Sequence, residues 1–467
     1  VFKHVVYIIK ENRTYDQVLG DMKEGNGDPS LCIFGEVVTP NHHKLAREFV
    51  LLDNFYCSGA LSADGHMWAT EAYVTDYVEK AFGGFPRSYP YDGGDALAYA
   101  SSGFLWDNAL AHGKTLRVYG EFVEATIRWK ERSRTGRPTF IDCYRDFLNQ
   151  TGLIEIRATA TIKTLEPYIC PTYIGFPGTV PDVYRANEFI REWQAFEQSP
   201  CPRPSRKLRH RPGVPALLDC DSGGRLGRRP KLPWFGRLLP GWSGSRPCDR
   251  TEPGRADGVA RAAAPNLAIL LLPNDHTSGT NPGYPTPRAA VADNDLALGR
   301  IVEAITKSKF WPETCIFVVE DDPQAGFDHV DGHRTVAFVI SPYTKRRTTH
   351  STNYNQTSMV RTIELILGLP PMNQLDASAM SMAGCFTDTP DFSPYHAAPN
   401  RIPLDTLNPL LAEIKNAAQL DWAKKSLELS LDQIDEADED TLNRILWHAV
   451  RGSDDTYPSW AALGNED

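Results

Sequence analysis

No apolar run in this chain exceeds the six residues of Leu267–Leu272, far short of the 18 or so that a membrane-spanning helix needs. Cations are outnumbered. Lys and Arg total 49 against 59 for Asp and Glu, a net charge of -10, which disfavours a nucleic-acid partner for the chain as a whole. The nine cysteines include no CxxC pair, so neither a zinc ribbon nor a dithiol redox motif is indicated, and their odd number says little about compartment. The Gly-x-Ser-x-Gly elbow of serine hydrolases is missing too, since Gly59-Ala60-Leu61-Ser62-Ala63 departs from it. Hydrophobic residues at 41% and charged residues at 23% exclude wholesale disorder, collagen and a disulfide miniprotein, and fit a soluble globular protein. The sequence opens on Val1 and passes directly into a strand-like run; any leader or upstream domain is expected to lie ahead of it.

What is present alternates between short apolar runs and helical periods. Val5–Ile9, Phe49–Phe55, Leu116–Tyr119, Leu267–Leu272, Ile316–Val319 and Val336–Ile340 read as buried strands of a mostly parallel sheet. Helical spacing recurs at Leu298, Ile301, Val302 and Ile305, at Val360, Ile363 and Leu367, at Leu407, Leu410, Leu411 and Ile414, and at Leu442, Ile445, Leu446 and Ala449. The last two are expected to be helices on the outside of the domain. Loops at about 83–95 and 279–287, rich in Gly and Pro, are long enough to line an entrance.

One segment stands apart. Residues 199–264 hold roughly 14 basic residues against 5 acidic ones and are crowded with Pro and Gly, with no helical or alternating period. Such a stretch is expected to be a disordered insertion; an Arg-rich arm for nucleic acid or another anionic surface, and a small packed subdomain, are the alternatives. The expected organisation is therefore an α/β domain in two parts, 1–198 and 265–467, interrupted by 199–264.

The chemistry gathers at strand ends, where ligands of open parallel sheets bind. Val5–Ile9 leads into Lys10-Glu11-Asn12-Arg13, Phe49–Phe55 into Ser62-Ala63-Asp64-Gly65-His66, Leu267–Leu272 into Asn274-Asp275-His276, and Ile316–Val319 into Glu320-Asp321-Asp322, with His329 and His333 shortly after. Carboxylates, an amide oxygen and imidazoles at one sheet edge are ligands for a divalent cation. Three adjacent acids, Glu320–Asp322, would repel one another in a partly buried site without one. Ser62 is the best candidate nucleophile, because it precedes an apolar stretch and so sits at a predicted helix N-terminus, although a serine there is also a good N-cap. Ser58 is the weaker rival. Arg13 is expected to be a structural partner of a sheet-edge carboxylate.

The segments HVVYIIKENRTYDQVLGD, DNFYCSGALSADGHMW, PNLAILLLPNDHTSGT, FVVEDDPQAGFDHVDGHR and VISPYTKR resemble the bacterial phosphoesterase family that contains phospholipase C-type enzymes and acid phosphatases, within the alkaline-phosphatase-like superfamily. The resemblance covers about 1–198 and 265–450 and is nearest to members that carry an N-terminal β-propeller. It implies an α/β sandwich with helices on both faces of a mostly parallel sheet, and metal-dependent hydrolysis of phosphate esters through a phosphoserine at Ser62. By the same resemblance Glu11, Asn12, Asp321 and Asp322 hold a divalent metal ion (Mn, Zn, Ca or Mg), and His276, His329 and His333 serve phosphate, a second metal or the leaving group. Asp64, His66 and Asp275 are the candidates for substrate contact, the first two alternatively for orienting Ser62. The setting implied is periplasmic or secreted. A catalytically silent binding or surface module that keeps the metal for structure is the alternative from another class, and nucleic-acid binding through the Arg-rich insertion is a third.

Overall fold

Strands buried on both faces must be apolar at every position, and the computed structural model shows that the run at Leu267–Leu272 is such a strand. Residues 1–81, 96–198, 263–324, 326–431 and 435–461 are described. The chain divides into two units, Val1–Gln198 with Ala264–Asp467, and Ser199–Ala263. Nearly all of the second unit, and with it the expected disorder of the insertion, lies outside the described residues. So does the loop at 83–95.

The strands are β1 (His4–Lys10), β2 (Val50–Leu52), β3 (Phe55–Tyr56), β4 (Leu116–Tyr119), β5 (Val123–Trp129) and β6 (Ile154–Ala160). They continue with β7 (Leu267–Leu272), β8 (Thr314–Glu320), β9 (Ala337–Ile340), β10 (Thr348–His350) and β11 (Tyr354–Asn355). Among the described residues the central sheet has the order β4-β7-β1-β8-β9. The first four strands run parallel and β9 closes the edge antiparallel to β8. Register places Lys10 opposite both Leu272 and Glu320, so β1, β7 and β8 end at one level.

The helices are α1 (Tyr15–Leu19), α2 (Pro40–Glu48), α3 (Ser62–Glu71), α4 (Asp76–Ala81), α5 (Leu105–Ala111) and α6 (Phe140–Asn149). Then come α7 (Asp182–Gln198), α8 (Pro287–Thr306), α9 (Gln356–Leu367), α10 (Gln374–Ser378), α11 (Ala417–Glu428) and α12 (Glu439–Arg451). Val5, Tyr7 and Ile9 of β1 share a core with Met67 of α3, Trp106 of α5 and Ile363 of α9. Val6 and Ile8, equally buried, point by alternation to the opposite face, where α8 packs on β7 with α2 and α7 beside it. A smaller core under the antiparallel β5–β6 pair joins Cys143 of α6 to Ile154, Ala158, Ile174 and Val180. No helix among the described residues is long and apolar enough to cross a membrane.

Two expectations are corrected. The run Phe49–Phe55 does not enter the central sheet: β2 pairs with β10 and β3 with β11 in separate two-stranded parallel ladders. Asp53 and Asn54 interrupt it, and Asp53 turns back to accept the N–H of Asn26. The stripe Leu407, Leu410, Leu411 and Ile414 is no α-helix but an extended segment with one 3-10 turn at Leu411–Glu413. Pro409 lacks the N–H a helix would use, and the Asn408 amide binds the carbonyls of Gly279, Asn281 and Pro285, holding the segment open.

Candidate functional site

Because β1, β7 and β8 are parallel and end level, their carboxyl ends deliver Glu11-Asn12, Asp275-His276 and Asp321-Asp322 to one edge of the sheet. Glu11, Asn12, Asp321 and Asp322 are each at most 1% exposed. Asn12 adopts a left-handed backbone, φ 64°, which asparagine tolerates better than most residues. That turn brings its N–H to Asp321 Oδ1 at 3.3 Å and its side-chain amide to both oxygens of Asp322 at 3.0 Å.

Ser62 arrives from the fourth strand end as the first residue of α3. It is not the cap; Leu61 holds that position. The Ser62 hydroxyl donates to Asp322 Oδ2 at 2.9 Å and accepts from Asn12 Nδ2 at 3.2 Å. Gly65 permits this approach, since a Cβ there would collide with the backbone carbonyl of Asp321. Gln356, the first residue of α9, staples the same region. Its amide donates to the carbonyl oxygens of Glu320 at 3.2 Å and Asp321 at 2.5 Å, and its Oε1 accepts the Ser58 N–H at 2.7 Å. Ser58, the rival nucleophile, is thus held by its backbone at the margin of the cluster.

The remaining candidates separate into groups. His66, one turn along α3, points Nε2 to Glu11 Oε1 at 3.2 Å and Asp321 Oδ2 at 3.3 Å, and Nδ1 to Glu121 Oε1 at 2.9 Å. Burial disfavours the imidazolium, but Glu121 and Glu11 outweigh it and raise the His66 pKa. Asp64 accepts the N–H groups of Ala60 and Leu61; burial pushes its pKa up to about 7 despite them. Asp275 accepts from Glu11 N at 3.1 Å and pairs with Lys10 Nζ at 2.6 Å. Glu320 meets the same ammonium at 2.6 Å. The repulsion expected among the three consecutive acids is thereby divided: Glu320 pairs with the buried Lys10, Asp321 takes the Asn12 N–H and lies beside His66, and Asp322 takes the Ser62 hydroxyl. Burial opposes the Lys10 charge, yet Asp275 and Glu320 hold its pKa above the ordinary value.

His276 is buried, its Nδ1 2.8 Å from the Thr277 carbonyl and its Nε2 3.5 Å from Gln324 Nε2; desolvation lowers its pKa. His329 belongs to a second cluster, 2.6 Å from Asp16, where Arg334 binds both Asp16 and Asp328. The guanidinium already balances those acids. The His333 side chain is 51% exposed and pairs with Asp331. Arg13 is structural, as expected, but through backbone carbonyls of Asp275 and His276 rather than a carboxylate.

Two acids that no motif marked complete the site. Glu121, on the turn between β4 and β5, is fully buried behind His66. Asp435 accepts the N–H groups of Ser62 at 2.9 Å and Ala63 at 2.8 Å, a carboxylate on the positive end of α3. Burial, then the neighbouring Asp435, raises the Asp322 pKa well above the usual carboxylate range; burial, then Asp322 and Glu11, does the same to Asp321.

Whether a cation suits this edge can be judged from its oxygens. Glu11 Oε2, Asn12 Oδ1 and Asp321 Oδ2 are buried without a hydrogen-bond partner; Asp321 Oδ2 is within reach of His66 but out of line for a bond. Unsatisfied buried acceptors of this kind are costly, and a divalent ion is a group that would satisfy them. The residues fit one.

The fold is similar to that of several solved structures. A protein of the alkaline phosphatase superfamily from Vibrio parahaemolyticus is 14% identical with a TM-score of 0.39 over 81% of this chain and 70% of that one. Murine ectonucleotide pyrophosphatase/phosphodiesterase 5 is 9% identical with a TM-score of 0.39 over 79% of this chain and 96% of that one. The lipoteichoic acid synthase LtaP of Listeria monocytogenes is 10% identical with a TM-score of 0.38 over 97% and 92%. No curated protein matches the sequence. The Phosphoesterase family matches residues 278–370, the stretch that carries Asp321, Asp322, His329 and His333.

Proposed function

We propose that this protein is a metal-dependent phosphoesterase that works through a phosphoserine at Ser62. The observation that carries the reading is the Ser62 hydroxyl, buried at the sheet edge between Asn12 Nδ2 and Asp322 Oδ2; the match of residues 278–370 to the Phosphoesterase family supports phosphate-ester hydrolysis. Glu11, Asn12, Asp321 and Asp322 would hold a divalent cation, whose charge, when bound, lowers the pKa of a nearby hydroxyl and offsets charge on the phosphoryl oxygens. Ser62 Oγ attacks phosphorus as its proton passes to Asp322 Oδ2, while the P–O bond to the ester's alcohol breaks and the departing oxygen takes a proton from solvent. Asn12 orients both partners in that transfer through one amide. His276 shares its Nδ1 hydrogen with the Thr277 carbonyl, which leaves Nε2 as the proton acceptor when water later attacks the phosphoserine. The motif resemblance extends the proposal to a phosphomonoester or phospholipid substrate, a periplasmic or secreted setting and an N-terminal β-propeller as partner domain.

The test is hydrolysis of aryl phosphate mono- and diesters by protein before and after chelation. Activity is expected to vanish on chelation and return with a divalent ion. Undiminished turnover in thoroughly metal-stripped protein would exclude the mechanism, and inactivity of replete protein on the whole panel would favour a silent binding module.

A further inference from the structure

The pair His66 and Glu121 asks for an explanation that a nucleophile and four oxygen ligands do not supply. Both side chains are buried, and they come from different elements, α3 and the turn after β4. A carboxylate at imidazole Nδ1 keeps the hydrogen on that nitrogen and leaves Nε2 as the ligand face. Glu121 Oε1 does this at 2.9 Å. That nitrogen is hydrogen-bonded to Glu11 Oε1 at 3.2 Å and lies 3.3 Å from Asp321 Oδ2.

Those separations have a chemical meaning. A tetrahedral ion with bonds of about 2.0 Å holds its ligand atoms about 3.3 Å apart. Two of the three separations already have that length, and all three atoms lie within 4.8 Å of one another. The cluster of Asp16, Asp328 and His329 offers the same residue types, but there Arg334 is the counter-ion at 2.9–3.0 Å; in the first cluster Glu11 Oε2 has no hydrogen-bond partner. Helix geometry also couples the parts. Ser62 and His66 are four residues apart on one face of α3, and the clearance at Gly65 seats that face on the Asp321 backbone.

We infer that His66 is a nitrogen ligand of the metal centre, that Glu121 is its positioning residue, and that the site therefore selects an ion of the Zn²⁺ or Fe²⁺ class over Mg²⁺ and Ca²⁺. Imidazole suits the former, whereas all-oxygen shells suit the latter. This rests on the metal-centre reading above.

The experiment is calorimetric titration of metal-stripped full-length protein with Zn²⁺, Mg²⁺ and Ca²⁺, together with pulsed electron paramagnetic resonance of the Mn²⁺-loaded protein. Zn²⁺ should bind about a hundredfold or more tighter than Mg²⁺ or Ca²⁺, and the Mn²⁺ signal should carry a ¹⁴N coupling that disappears in His66→Gln. Glu121→Gln should keep the coupling while weakening Zn²⁺ about 10- to 100-fold. Wild-type protein alone decides the matter if a variant fails to fold. Tight ion binding with no ¹⁴N coupling would overturn this inference and leave the phosphoesterase reading standing; failure to bind any of the ions would overturn both.

Discussion

Ser62 is buried yet only lightly tethered, for its hydroxyl makes one bond as donor and one as acceptor. Removing it should cost about 1 kcal/mol of stability while deleting the oxygen proposed to attack phosphorus. Ser62→Ala is therefore expected to retain its circular dichroism spectrum and metal content and to lose turnover, and rapid quenching of wild type should trap phosphate on Ser62. Ser58→Ala, which leaves the backbone bond to Gln356 intact, should stay active. The reverse pattern would show that the wrong serine has been named. A second residue gives a pH test away from the nucleophile. Glu71 is buried at the end of α3, where it accepts the Ala100 N–H, and burial pushes its pKa up to about 8. Between about pH 4.5 and 8 the native state therefore keeps a proton that the unfolded chain has released, so stability falls as pH rises through that window. Glu71→Gln should remove a decline on the order of a few kcal/mol, read as a flatter profile of unfolding free energy against pH.

At the scale of elements, α3 carries both Ser62 and His66. Its N-terminus has no side-chain cap of the usual kind; instead Asp435, from the segment before α12, binds the N–H groups of Ser62 and Ala63. An acidic partner on a helix start is worth about 1–2 kcal/mol. Asp435→Ala is expected to lower the midpoint of thermal unfolding accordingly and to reduce kcat by loosening Ser62, the proposed nucleophile, while Asp435→Asn, which keeps an acceptor, should recover part of both. Wild-type stability in Asp435→Ala would mean that the helix start is held by other contacts. The loop that carries Asp322 is fastened on the same side: Asn443 of α12 donates to the Gln324 carbonyl at 3.0 Å, and Phe327 meets Trp447 edge-on at 5.4 Å. The C-terminal helices are thus part of the site's frame.

For the whole molecule, metal and fold should be linked. Several acids buried at one sheet edge disfavour folding unless a cation joins them, so a bound ion should stabilise by RT ln(1 + [L]/Kd), about 2.7 kcal/mol at a hundredfold excess over Kd. Thermal unfolding with and without chelator measures this, and an unchanged midpoint would contradict it. The Arg- and Pro-rich residues 199–264 follow α7, which ends at Gln198, and precede β7, which begins at Leu267. Loop closure depends only weakly on length. A short polar linker in their place is expected to leave kcat within a few-fold and soluble yield equal or better; loss of activity with the metal still bound would show that they contribute to the site.

Much of this was legible in the sequence. The apolar runs at β1, β7 and β8 announce strands buried on both faces, and the abrupt change to Glu11-Asn12, Asp275-His276 and Asp321-Asp322 marks the strand ends as the candidate site, because polar residues interrupt a buried strand only where something compensates them. Local periodicity likewise determined α8, α9 and the Leu442–Ala449 stripe of α12. It failed at Leu407–Ile414, where Pro409 and long-range bonds from Asn408 override the spacing, and at Phe49–Phe55, whose pairing partners lie some three hundred residues away. Tertiary structure alone decided that Glu320 turns to Lys10, Asp321 to the Asn12 N–H and Asp322 to Ser62, and that Glu121 and Asp435 join the site. The reason is physical: strand and helix periods set which residues share a face, but the partner that neutralises a buried charge is chosen by proximity in the folded chain, and an acid in a turn carries no period to reveal it.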